Sequence, residues 1–198
     1  MRNALVLSIA ASSVLAIAGC SDTVQPSLIS ARPLDDRAPA LLSLIAPVQR
    51  ATPLSQDVTW SFVAGPLGGS TTNTATGLTF TVPAGALSGN VTITITALAG
   101  SPVAYRFEPH GLVFAQNATI RQDLTVTTAN LLTGLLLSGA YFSSDTLELD
   151  GSGLAIVSEV IGAITNPLTM TATFPVGHFS GYILASGRSE PDSTEGEE

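Results

Sequence analysis

The sequence is short of several things that proteins of its length usually carry. It has one cysteine, Cys20, so no disulfide can form within the chain. It has no lysine; its seven cations are all arginine and stand against fifteen acids, giving a net charge of −8. Without a basic patch, nucleic acid is excluded as a partner, and so is electrostatic binding to anionic lipid. Only two histidines occur, His110 and His178, too far apart to share metal-ligand spacing. The Gly-x-Ser-x-Gly elbow of serine hydrolases is missing, and Gly151-Ser152-Gly153 reads as a turn. No metal site is therefore expected. Charged residues make up only 11% of the chain, and the abundance of Thr, Val and Gly suits a β-rich exported domain.

What is present is arranged in four parts. Residues 1–19 read as an export signal: Arg2 is the positive start, and Ala4 to Ala18 is an apolar run broken only by serines. That run is shorter than the roughly 20 residues needed to span a bilayer. It ends in Leu15-Ala16-Ile17-Ala18-Gly19-Cys20. The ending resembles the lipobox of bacterial lipoproteins. There the chain is cut just before the cysteine, whose thiol carries diacylglycerol, and the new N-terminus can take a further acyl chain such as palmitate. The resemblance implies Cys20 as the lipid attachment site and the membrane as a partner. An ordinary cut after Ala18 is the competing reading. With Arg2 removed, the net charge becomes −9. In the sorting rule of such lipoproteins an aspartate directly after the cysteine retains the protein in the inner membrane. Ser21 stands there, pointing to the outer membrane of the cell envelope.

Residues 20–56 read as the lipid anchor and a flexible tether. Pro26, Pro33, Pro39, Pro47 and Pro53 are spaced so that no long helix can form. Leu41 to Ile45 is too apolar for a plain linker and suggests local docking as a strand or helical turn.

Residues 57–186 show the period-2 alternation of half-buried strands. The clearest are Val58 to Phe62, Leu78 to Val82 (stopped by Pro83), and Val91 to Thr96. Further strands are expected at Tyr105 to Phe107, Ala118 to Thr128 with an irregularity near Gln122, Leu135 to Phe142, Leu154 to Ile164, Leu168 to Phe174, and His178 to Ala185. Asn130 to Thr133 reads as one helical turn. Short strands with turn residues between them predict an all-β, antiparallel β-sandwich. Residues 187–198 are acidic and lack apolar side chains, so a disordered tail is expected.

Four stretches of the third part, in order, are Gly65-Pro66-Leu67-Gly68-Gly69, Leu78 to Leu87, Tyr105 to Phe114 and His178-Phe179-Ser180-Gly181-Tyr182. Together they resemble the ZU-five domain shared by zonula occludens protein, netrin receptors of the uncoordinated-five type, ankyrins and bacterial surface proteins. Glu108-Pro109-His110-Gly111 departs from the family's usual Gly-Pro-x-Gly. The resemblance implies a β-sandwich with a binding or scaffold role toward a protein or surface polymer, with no cofactor and no conventional substrate.

It also implies a sharper chemistry. Some death-domain signalling proteins with this domain cut their own backbone at a His-Phe-Ser motif in the last strand. Here Ser180 Oγ would attack the Phe179 carbonyl, with His178 as base, aided by backbone strain. The competing structural reading has Phe179 filling the core, Ser180 facing out and His178 starting the strand. A carbohydrate-binding module is the third reading, if Trp60, Tyr105, Tyr141 and Tyr182 form an exposed platform; their alternating positions favour packing instead. Asp145, Glu148 and Asp150 could ligate calcium, but they lack EF-hand spacing and read as a solvated hairpin tip. Asn90 and Asn117 begin glycosylation sequons, which carry little meaning in a bacterial envelope.

Overall fold

The computed structural model describes residues 42–129, 137–143 and 146–188. The strands, in chain order, are β1 (Ser43–Pro47), β2 (Gln49–Leu54), β3 (Val58–Ala64), β4 (Gly69–Asn73), β5 (Leu78–Val82), β6 (Val91–Ala97), β7 (Gly100–Pro102) and β8 (Ala104–Glu108). They continue as β9 (Val113–Asp123), β10 (Leu137–Phe142), β11 (Ala155–Val157), β12 (Glu159–Gly162), β13 (Ile164–Asn166), β14 (Thr171–His178) and β15 (Gly181–Arg188). One 3-10 turn, Leu124–Val126, follows β9 and is capped by the Asp123 carboxylate, which accepts from Thr125 N–H.

Two antiparallel sheets form a β-sandwich, as the alternation predicts. One runs β11-β1-β15-β8-β6-β3, with β10 and β12 attached beyond β15; the other runs β13-β14-β9-β5-β4. A short β2-β7 pair closes one end. The threonine-rich alternation explains the main sheets. In β5 the residues Leu78, Phe80 and Val82 are buried while Thr81 is exposed, and in β6 Ile93 and Ile95 are fully buried. Between the sheets lies an aromatic core: Phe80, Phe107, Phe114 and Phe179 have ring centroids 5.0–6.5 Å apart.

β15 is the hub. It pairs with β10 along one edge, while β8 and then β1 share the other. Tyr182 and Leu184 face the inter-sheet core, whereas Ile183 and Ala185 join Ile45, Phe142, Ala155 and Val157 in a second cluster on the opposite face. Burial on both faces accounts for its unbroken apolar run Tyr-Ile-Leu-Ala.

Several boundaries differ from the sequence reading. The domain begins at β1, well before residue 57: Ile45 is fully buried, Val48 and Arg50 nearly so, and β1 pairs with β11 and β15. Pro47 and Pro53 exclude a helix but fit the extended backbone. Leu44 and Ile45 therefore belong to a strand, and the part of the expected tether before residue 42 lies outside the described residues. At the other end β15 runs to Arg188, two residues into the expected tail. The ninth strand starts earlier than Ala118 and stops at Asp123. Gln122 pairs regularly with Leu78 and Ala172, and the register shift falls at Val176/His178 instead. Leu154 to Ile164 is broken into three short strands, and Leu168 is 94% exposed in the turn before β14. The expected helical turn at 130–133 and the tail beyond 188 lie outside the described residues.

Candidate functional site

The register places one set of loops together at one end of the sandwich. Ala64 pairs with Val91, Thr94 with Glu108, Gly181 with Arg106, and Val113 with His178. The β3–β4, β5–β6, β8–β9 and β14–β15 connections therefore share this end. The chain enters at the other, since β1 runs antiparallel to β15 and Ile45 pairs with its last residue, Arg188.

The His-Phe-Ser motif lies at the loop end, but not inside the last strand. His178 closes β14, and Phe179 and Ser180 make the crossing to β15. Phe179 is buried in the aromatic core. Its N–H donates to Leu112 O at 2.8 Å, and its carbonyl accepts from Gly111 N–H at 3.4 Å. Ser180 does not face out as expected. It is 5% exposed, and its hydroxyl donates to Phe142 O at 3.2 Å. The proton is thus directed at a backbone carbonyl of β10 rather than at the His178 imidazole. That ring packs edge-on against Tyr141 at 4.7 Å, and the His178 carbonyl accepts from Tyr182 Oη at 2.6 Å. Among the described residues the one non-glycine with positive φ is Met170, outside the motif.

The four candidate platform aromatics are not gathered on the surface. Tyr105 and Tyr182 are buried, while Trp60 and Tyr141 are half-buried. Burial pushes the pKa of the Tyr105 hydroxyl up to about 12, and its one proton is shared between Gln122 Oε1 at 2.7 Å and Thr76 O at 3.0 Å. Burial also raises Tyr182, reinforced by Glu159 and Tyr141. Of the acids considered for calcium, Asp150 is engaged locally: its Oδ1 accepts from Ser152 and Leu154 N–H, both at 2.8 Å. Asp145 lies outside the described residues, as does Cys20.

No family model and no curated protein matches the chain.

The loop end instead carries a feature the alternation hid. Leu67 is 94% exposed, Val113 70% and Val63 61%. Each follows from local structure. Leu67 sits in the tight Gly65-Pro66-Leu67-Gly68 turn, where Gly68 takes positive φ and no strand neighbour covers the side chain. Val63 is on the outward face of β3, and Val113 opens β9. Beside Val113 is a cavity of about 230 Å³ lined by Ala86, Leu87, Val91, Leu112 and Ala115, with no charged residue in its wall. Leu67 was legible as an apolar residue in a turn with no alternating partner. Val63 and Val113 were not, because their exposure depends on which face the second sheet covers. No helix among the described residues is long and apolar enough to cross a membrane.

Proposed function

We propose that the chain is a lipid-anchored cell-envelope module of ZU-five type, held to the outer membrane through Cys20, that binds a protein or surface polymer through the loop end of its sandwich. The observation that carries the reading is the exposure of Leu67, Val63 and Val113 at the end opposite the entry of the chain at Ser43. Exposed apolar area costs about 25 cal/mol per Å² until something covers it. Leu42, Ile164 and Leu168 are exposed elsewhere on the domain, but at the loop end Val113 also lines a cavity, and exposed apolar side chains beside a cavity mark an interaction surface. The uncharged wall of the neighbouring cavity suits an apolar side chain of the partner better than a charged ligand. The lipobox-like Leu15 to Cys20 supports the anchor, and the Leu78 to Leu87 and Tyr105 to Phe114 stretches support the family.

Site-specific photo-crosslinking in intact envelopes tests both halves. A crosslinker at position 67 is expected to give a discrete adduct. Val113→Asp should abolish it, and a crosslinker at Thr125, at the opposite end, should give none. Cys20→Ser should move the protein from the membrane to the soluble fraction and weaken the adduct. Equal adducts from both ends, or membrane retention of the signal-cleaved Cys20→Ser chain, would show the reading to be wrong.

A further inference from the structure

At the end where the chain enters, Arg50 is folded inward from β2. It is 5% exposed, although it belongs to a stretch whose neighbours Ala51, Thr52 and Pro53 are all exposed. Its guanidinium lies 5.3 Å above the Tyr105 ring, and Nη2 donates to Ala104 O at 3.2 Å. Nε and Nη1 are buried with no hydrogen-bond partner. Among the described residues no carboxylate pairs with the group. Burial lowers the Arg50 pKa, but an arginine stays protonated in proteins.

A buried cation without a counter-charge costs several kcal/mol, and one cation–π contact with one neutral hydrogen bond offsets only part of that. Arg50 also lines a cavity of about 290 Å³, together with Thr52, Thr76, Thr125 and Val126. Thr76 Oγ1 donates to Asn73 O and Thr125 Oγ1 to Asp123, while the exposed Thr52 hydroxyl makes no bond to a described residue. Water in this space could supply hydrogen-bond acceptors but not the missing negative charge. A carboxylate supplies both. Its two oxygens match the paired donors of a guanidinium, which a spherical halide does not.

We propose that the cavity beside Arg50 is a carboxylate-binding site, with Arg50 as the cation and Thr52 as a rim donor. The shared chemistry is a carboxylate, and two sources fit it: a free carboxylate ligand, or the chain's own acidic stretch Glu190, Asp192, Glu195, Glu197 and Glu198, which follows β15. This site is separate from the loop end and does not rest on the function proposed above.

The experiment uses the full mature chain in detergent and follows arginine side-chain Nε–H signals by NMR, with acetate as the probe and chloride at equal ionic strength as the reference. The expected result, in the wild type or, where the tail fills the site, in the tail-substituted chain below, is a saturable shift of the Arg50 signal at acetate concentrations at least about tenfold below those of any chloride effect. Thr52→Val should weaken the response severalfold, and Arg50→Lys should reduce acetate stabilisation against heat by about tenfold in apparent affinity. Thr52 is exposed, so its variant reads the site even if the Arg50 variant does not fold. A second chain has the five tail acids changed to Gln or Asn. If the tail is the source, this chain responds to acetate and the wild type does not; if a free ligand is the source, both respond alike. Failure of both to respond, or equal responses to acetate and chloride, overturns the proposal.

Discussion

Ser180→Ala separates a structural hydroxyl from a reactive one. The Ser180 Oγ is buried and its single bond, to Phe142 O at 3.2 Å, joins residues 38 apart in sequence. Alanine removes one oxygen and creates no cavity that side chains must fill. The loss is that of one net hydrogen bond, about 0.5–1.5 kcal/mol, which for a domain of this size lowers Tm by about 1–6 °C. The assay is urea and thermal unfolding of the wild type and variant, paired with intact mass after denaturation. The expected result is one full-length mass for both proteins and a modest loss of stability in the variant. The reasoning fails if the wild type yields a fragment Ser180–Glu198 that disappears in Ser180→Ala. It fails equally if the variant is as stable as the wild type. The first outcome would mean that the hydroxyl leaves Phe142 for the Phe179 carbonyl, whose oxygen already faces the Gly111 N–H.

Two further outcomes follow from the packing. Tyr105 is raised from 10 to about 12 by burial, so its neutral form is favoured in the fold. The associated stability is complete below pH 10 and is lost as pH rises toward 12, by about 2–3 kcal/mol over that window. Urea midpoints at pH 9 and 11.5 should show this fall, and Tyr105→Phe should remove part of it; midpoints that do not change with pH would count against the burial argument. Gly139 on β10 lies against Phe174, and an added Cβ would overlap that ring. Gly139→Ala should cost about 1–3 kcal/mol, whereas Gly151→Ala, with open space around it, should stay within about 0.5 kcal/mol. Equal denaturation midpoints for the two variants would refute the close approach.

Much of the sandwich was legible because strand alternation is local. Leu78 to Val82 was bounded correctly: the alternation marks one buried face, and Pro83 removes the donor that would continue the ladder. Val91 to Thr96 was short by one residue, Ala97. The reading weakened where burial is set by distant chain. Ser43 to Leu54 looked like tether because its prolines dominate the local pattern, yet Ile45 is buried by β15 and β11, more than a hundred residues away. Leu154 to Ile164 looked continuous, but β11 and β12 join different partners, β1 and β10, so the run must break between them. The candidate site was legible in part. Phe179 in the core was expected; the burial of Ser180 was not, because it requires Phe142 of β10 alongside.

The sequence by itself determined the fold class, all-β. Period-2 patterning, turn glycines and prolines, and the scarcity of charge are all properties of neighbouring residues. Only the tertiary structure decided which side chains meet water. It placed Leu67, Val63 and Val113 together at one end, turned Ser180 toward Phe142 and shut Arg50 against Tyr105. The physical reason is that alternation assigns a residue to a face of its strand. Whether that face is covered depends on a second sheet and on partner strands, and their position is fixed by the packing of the whole chain.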